Sequence, residues 1–408
     1  MSEWKETEFG IIASDWKFIP SIEYCLRITD GTHDSPKEQK SGKHLITSKH
    51  IKGKDVNFEN AYLISEEDYT KINERSRVDQ WDVIISMIGE YCGFSFVERN
   101  EEINYAIKNV GLFKTGNKNK AYWLYYFLNS RIGRFILETN KSGTSQPYLT
   151  LGFLRELPVL YPSSDQEARV IVEILSSLDD KIDLLYRQNK TLEQLAETLF
   201  RRWFVEEANE SWEEVKLSAL GKIICGKTPS KKVIEYFGGE IPFIKIPDMH
   251  GKTFVFDSED SLTEYGINSQ LNKTIPPKSI CVSCIATVGL VVMNAKISQT
   301  NQQINSIIPN KEHYRYFIYL NMLTMKDELL AMASGGTATD NLNTGEFSNI
   351  DILFPKEETL LNFHQEVEPL FDKIFENQIQ IRTLTQLRDT LLPKLMSGEI
   401  RLNCDSCD

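Results

Sequence analysis

The sequence has no apolar run approaching the roughly 20 residues that a bilayer crossing needs. Its first residues, Met1 to Glu8, are polar and acidic rather than a secretory signal. Seven cysteines are an odd number without framework spacing, which argues against a disulfide-stapled design and for free thiols in a reducing cytoplasm. Cys281 with Cys284, and Cys404 with Cys407, have C-x-x-C spacing. The first pair lies in a strand-like run and the second on a polar tail, so neither reads as a metal or redox site. The six histidines, His33, His44, His50, His250, His313 and His364, form no metal-ligand pair at helical spacing. Catalytic signatures are missing too. There is no phosphate-cradling G-x-x-x-x-G-K-[ST]. There is also no Asn-Pro-Pro-Tyr run of the amino-methyltransferase type, of which Gln146-Pro147-Tyr148 is a poor relative. Glu38-Gln39-Lys40 has the spacing of a nuclease E-x-K but lacks the preceding Pro-Asp. No catalytic constellation is complete, and neither a metal nor a bound cofactor is expected.

Positive charge is scarce as well. Lysine and arginine number 46 against 58 aspartates and glutamates, a net charge of −12. A protein whose only task was to grip phosphates would be basic, because counterion release drives that binding. Local clusters nonetheless exist: Lys49, Lys52 and Lys54; Lys114, Lys118 and Lys120; Arg131, Arg134 and Lys141; Lys227, Lys231 and Lys232. With 408 residues and 41% hydrophobic content, the chain can bury two or three cores.

What the sequence does have is a repeat. Thr191 to Phe200 (TLEQLAETLF) matches Thr383 to Leu392 (TLTQLRDTLL), and Asp180-Lys181-Ile182 returns as Asp372-Lys373-Ile374. Upstream, ELPVLYP ending at Pro162 matches NIDILFP ending at Pro355, and Gly143-Thr144-Ser145 falls opposite Gly336-Thr337-Ala338. VIISMIGE from Val83 pairs with ICVSCIAT from Ile280, and HLITSKHIKGK from His44 with PFIKIPDMHGK from Pro242. Asn104-Tyr105-Ala106-Ile107 is matched to Asn301-Gln302-Gln303-Ile304. Matches in the same order along both halves indicate a tandem duplication.

Each half follows one plan. Short β-branched or aromatic runs broken by turn residues, such as Val83 to Ile88 and Ile280 to Ile285, predict strands. Helical stretches follow at Tyr122 to Leu137 and Tyr314 to Leu330, then a proline, then a long helix. The long helices are expected at about Gln166 to Phe204 and Glu358 to Met396, each roughly 55–60 Å at 1.5 Å per residue. In the first, Ile171, Leu175, Leu178, Ile182, Leu185, Asn189, Leu192, Ala196, Leu199 and Trp203 alternate steps of four and three. In the second, Phe363, Val367, Leu370, Ile374, Asn377, Ile381 and Leu384 do so, extended by Leu391 and Leu395. Such a heptad seam wants a facing helix; the alternative is two helices each buried in a domain of its own. The expected fold class is α/β (α+β), with two mixed domains from internal duplication and two long coiled-coil helices. The expected boundaries are 1–162, a first mixed domain; 163–208, a first long helix; 209–355, a second mixed domain; 356–400, a second long helix; and 401–408, a polar tail.

Two asparagines stand in the seam: the repeat mate of Asn189 is Ile381, and that of Asn377 is Leu185. If the two amides face each other, they set the helix register, centred near Arg187 and Ile379; otherwise both sit at the seam's edge in water.

This order of parts resembles the specificity subunits of Type I restriction–modification systems over essentially the whole chain. The residues that carry the resemblance are Asp30-Gly31-Thr32-His33 with Pro36, and Gly226-Lys227-Thr228-Pro229 at the like place in the second half. To these are added the leucine-rich helix ending in Arg201-Arg202-Trp203-Phe204, and the run LLPKLMSGEI from Leu391. The resemblance implies a non-catalytic, cytoplasmic subunit whose two target recognition domains each read one part of a split double-stranded DNA site. The two long antiparallel coiled-coil helices, related by a pseudo-two-fold, would hold these domains apart, set the spacer and dock two modification subunits, with restriction subunits completing the assembly. S-adenosylmethionine, ATP and Mg²⁺ would belong to those partners. Base reading needs Arg, Lys, Asn or Gln at base edges, with phosphate contacts to fix register. By position the candidates are Lys49 and Lys52 with counterparts Lys245 and Lys252. A second set is the loop Lys141, Ser142, Gly143, Thr144, Ser145 and Gln146, with counterparts Ser334, Gly335, Gly336, Thr337, Thr339 and Asn341. Simple surface turns are the alternative for each. At the level of the whole chain, the alternatives are a specificity component of a Type II-like enzyme, a self-sufficient methyltransferase or nuclease, and a coiled-coil scaffold that touches no DNA.

Overall fold

The structure is a computed structural model and describes residues 4–209, 212–334 and 340–402. The chain divides into two units, Met1–Ile182 with Thr383–Asp408, and Asp183–Arg382. Each unit therefore combines one mixed half with a stretch of both long helices, and its core runs past the boundaries expected at 162 and 355. No helix among the described residues is long and apolar enough to cross a membrane.

In the first unit a four-stranded antiparallel sheet runs in the order Arg27–Asp30, Val110–Lys114, Asp82–Ser86, Ser95–Val97. Lys43–Thr47 pairs in parallel with Tyr105–Lys108 beside it. The run from Val83 to Ile85 is apolar at every position because both faces of its strand are covered. Val83 and Ile85 join a core with Trp16, Trp123 and Phe127, which also takes in Ile171, Leu175, Leu395 and Met396 of the long helices. Ile84 faces the other way, towards Ile46, Phe96 and Ile107. The stretch expected as one helix is two, Lys118–Asn129 and Arg131–Thr139, because Ser130 caps the second by accepting from the Gly133 amide at 3.1 Å.

The second unit repeats this logic. Its five-stranded sheet runs Gly221–Cys225, Ile304–Pro309, Ile280–Ser283, Val291–Asn294, Phe254–Val255. Phe237–Ile244 pairs in parallel with Gln299–Thr300. Ile280 and Val282 face the core that holds Phe200, Phe204, Phe317 and Phe363, while Cys281 faces Ile244, Met249 and Val292. That alternation accounts for the C-x-x-C pair as packing: burial pushes the Cys281 thiol up to about 12 and the Cys284 thiol to about 11. Cys404 and Cys407 lie outside the described residues. Arg315–Thr324 and Lys326–Ala333 again replace a single expected helix.

The long helices are Asp165–Arg201, ending in a π-turn at Arg202–Glu206, and Glu357–Ser397. None of the seam positions is exposed: Ile182, Leu185, Asn189, Ile374, Asn377 and Ile381 are buried, and Leu178, Leu192, Leu370 and Leu384 half-buried. In the first unit Arg388 Nη1 donates to Asp179 at 2.9 Å, and Arg401, just past the helix, to Glu167 at 2.8 Å, so the segments run antiparallel. In the second unit the Asn377 amide donates to Asn189 Oδ1 at 2.9 Å, with both side chains buried, and Phe200 meets Phe363 further out. The facing asparagines expected from the heptads are present. The alternative of helices buried in domains is also partly realised, since Ala196, Phe200, Phe363, Val367 and Phe371 belong to a globular core.

The repeat match fails at one point. Gly31 and Thr32 amides donate to the Val110 and Ile107 carbonyls, while Gly226 and Lys227 amides donate to Ile304 and Thr300. Ile304 is thus the equivalent of Val110 and Thr300 that of Ile107. Asn301 to Ile304 does not correspond to Asn104 to Ile107; polar identity at Asn104 and Asn301 misled the match where the ladder has the last word.

Candidate nucleic-acid interface

Antiparallel pairing decides which loops meet. In the first unit Asp30 lies opposite Gly111, and Val110 opposite Ser86. The segments leaving Asp30 and Ser86 and the turn entering Val110 therefore share one end of the sheet. Gly31 is required at this end, since a Cβ there would sit 2.4 Å from the Ile107 carbonyl oxygen. Asp30 is buried and accepts from Arg75 Nη2 at 2.9 Å, while Arg75 also bonds the Gly31 carbonyl at 2.8 Å. The ring of His33 spans Asp30 Oδ2 at 3.0 Å and Asn109 Oδ1 at 2.9 Å, and Lys108 Nζ donates to Ser35.

Both candidate loops arrive at the same end. Ser48 Oγ donates to the Asn109 carbonyl at 3.0 Å, which anchors exposed Lys49. Lys52 Nζ stands 5.6 Å from the centre of the Tyr91 ring. Tyr91 packs edge-on to Phe94, and the Arg134 guanidinium covers Phe94 at 5.4 Å. The other loop closes through paired bonds between Ser142 and Tyr148, and the Gly89 amide donates to Pro147 at 2.9 Å. Ser142, Gly143, Thr144, Ser145 and Gln146 are exposed, with Gly143 at φ +84°. Lys141 is turned aside to Glu138. Lys54, grouped in sequence with Lys49 and Lys52, is committed to buried Asp179.

The second unit builds the same end from different side chains. A Cβ on Gly226 would meet the Asn301 carbonyl at 2.1 Å. Ala286 takes φ +65° where its equivalent Gly89 has +85°, and its amide donates to Asp340 as that of Gly89 does to Pro147. Asn341 is exposed and bridges to Ile285, as Tyr148 does to Ile88. Ser334 is held by Asp340 at 2.9 Å; Gly335, Gly336, Thr337 and Thr339 lie outside the described residues. Lys245 is bound to Asp260 at 2.8 Å, and that bond holds its ammonium pKa above the usual lysine value. Lys252 is exposed.

The structure therefore joins Lys49, Lys52 and the 142–146 loop, and in the second unit Asn341 with the 284–290 turn, while Lys141 and Lys245 have carboxylate partners. Sequence reasoning missed Tyr91, the turn Lys108-Asn109 and the turn Asn301-Gln302-Gln303. A correct strand register at Val110 and Ile304 would have exposed both turns. With Asp34, Glu90 and Asp340 among the cations, each end offers a polar edge for hydrogen bonding rather than a purely basic grip. Among the described residues no cluster of His, Cys, Asp and Glu could hold a metal ion.

The model for the Type I restriction modification DNA specificity domain matches residues 35–194 and again 209–390. The Type I restriction enzyme HindI specificity subunit of Haemophilus influenzae is 35% identical, covering 80% of this chain and 88% of its own. The MjaIX specificity subunit of Methanocaldococcus jannaschii is 27% identical over 98% of this chain and 97% of its own. In fold, the chain is similar to the crystal structure of the Type I system S subunit from M. genitalium, with a TM-score of 0.62 at 16% identity, covering 93% of this chain and 96% of that one. With its duplicated halves and paired long helices, the chain belongs to the DNA specificity subunits of Type I restriction–modification systems.

Proposed function

We propose that each half reads one part of a bipartite double-stranded DNA target through the end of its central sheet. The observation that carries this is the duplicated clamp: Gly31 and Gly226 hold equivalent turns by the same backbone bonds while the side chains around them differ. A shared scaffold with divergent contents suits two different half-sites, much as protein symmetry mirrors operator symmetry in dimeric readers. The helix pair sets the unread spacer and docks two modification subunits, and restriction subunits complete the complex in the cytoplasm. The subunit itself is non-catalytic, and S-adenosylmethionine, ATP and Mg²⁺ are held by its partners. The lack of a nucleotide-binding or methyltransferase motif in the sequence supports that division. The net charge of −12 suits a subunit that borrows phosphate contacts from those partners.

Long-read mapping of methylated motifs in the host genome, with and without this gene, tests the reading. One bipartite motif should vanish when the gene is deleted. An unchanged set of motifs would overturn the proposal.

A further inference from the structure

At the clamped end of the sheet, the two halves differ in the turn that enters the central strand. In the first half two residues, Lys108 and Asn109, lie between the equivalents Ile107 and Val110; in the second there are three, Asn301, Gln302 and Gln303. The glycine clamp, the parallel strand before the turn and the central strand after it are common to both. Between those two strands, the difference in length and chemistry lies in the turn.

In the second half this turn is preorganised. Asn301 accepts from the Gln303 amide at 3.1 Å and donates from Nδ2 to Gln303 Oε1 at 2.9 Å. The backbone of Asn301 is held by the Ile244 carbonyl at 3.1 Å, and Asn301 itself is buried. Gln302 is exposed. Its Oε1 accepts from the Thr228 hydroxyl at 2.7 Å, which tethers the amide, and an amide oxygen can accept a second hydrogen bond. Lys227, beside Thr228, is exposed and has the charge to meet a backbone phosphate.

A tethered carboxamide, whose amino group donates and whose oxygen has a second acceptor site, has the donor and acceptor chemistry that meets the N7 acceptor and N6 donor of adenine in the major groove. Holding it in place before binding reduces the ordering cost of the contact. We infer that Gln302 is a specificity-determining residue that reads an adenine in the half-site of the second domain, with Thr228 as its positioning residue. This inference rests on the DNA-reading function proposed above.

The test uses the complete complex, this chain with the modification subunit of its host, and reads the methylated motif together with relative binding of duplexes altered one base pair at a time. Gln302→Ala should relax a single adenine position in one half-site, lowering discrimination there between about five- and 150-fold, with the other half-site unchanged. Gln302→Lys should move the preference at that position towards guanine, whose O6 and N7 accept from lysine. Thr228→Val should weaken the same preference while leaving Gln302 present. A motif unaltered in Gln302→Ala would overturn the inference, as would relaxation in the other half-site. Binding weakened equally on all sequences, with the motif preserved, would make Gln302 a backbone contact and also overturn it. A wild-type complex that shows no bipartite motif would instead remove the proposed function, before any variant is compared.

Discussion

At Asp179, burial and charge act in opposite directions. Burial alone would raise its carboxyl pKa, but Lys54, Arg388 and the Tyr126 hydroxyl hold the carboxylate below its ordinary value. The folded-state value is thus below the unfolded one, about 3.9. The resulting stability is fully present above about pH 4 and is lost as pH falls through the folded value. Asp179→Asn keeps an acceptor for Tyr126 but leaves two cations without a counter-charge. We expect it to cost about 3 kcal/mol at pH 7, read from chemical denaturation. The gap between variant and wild type should shrink below about pH 4; a gap that persists undiminished at pH 3 would show that charge is not its cause. The repeat mates of this pair are Phe371 and Ala196, and there the joint is aromatic, with Phe371 stacked 4.3 Å from Tyr316 and edge-on to Tyr319. Nothing local in the sequence distinguishes Asp179 from exposed Asp180 beside it. Only its contacts with residues more than fifty positions away do so, which is why this network was not legible in advance.

At the scale of the element, periodicity was the most legible signal. The heptads gave both long helices to within a few residues, even though Pro369 and Pro393 stand inside the second. Both prolines are exposed, so the missing backbone donor and any bend fall on the face away from the seam. The asparagine pair followed from the same periodicity, because seam position and repeat register together allow one facing partner. Less legible were the breaks at Ser130 and Met325, since the apolar pattern runs through both. The buried pair is expected to select register more than to stabilise: Asn377 Oδ1 has no partner among the described residues. Asn377→Leu should cost about 1–3 kcal/mol by stranding the Asn189 amide. Replacing both with leucine should restore or exceed wild-type stability while broadening hydrogen exchange along the pair, as alternative registers become accessible. A double variant no more stable than the single one would show that the amides do not act through each other.

For the whole molecule, the composition concealed the function and the duplication displayed it. A net charge of −12 points away from DNA, and at the proposed reading edge amides and hydroxyls stand beside a few lysines, two of which, Lys141 and Lys245, are paired with carboxylates. The repeat singled out the candidate loops at Lys49, Lys52 and 142–146, and the structure brings them to one end of the sheet. The turns at Lys108 and Gln302 were missed because their register depends on ladder bonds between distant strands. The same organisation predicts how specificity should transfer. Exchanging the region before Pro162 for that of a relative such as the HindI subunit should change one half-site and leave the other intact, because contacts at well-separated positions contribute nearly additively. The exchange has a structural condition. The incoming domain must pack on Ile171, Val172, Leu175, Leu395 and Met396 and present equivalents of Lys54 and Tyr126 to Asp179. A chimera that meets it should fold and methylate a hybrid motif; one that loses Lys54 and Tyr126 should unfold earlier by an amount that Asp179→Asn largely accounts for. If a well-folded chimera altered both half-sites, the two domains would not be independent readers, and specificity would have to be sought in the helices they share.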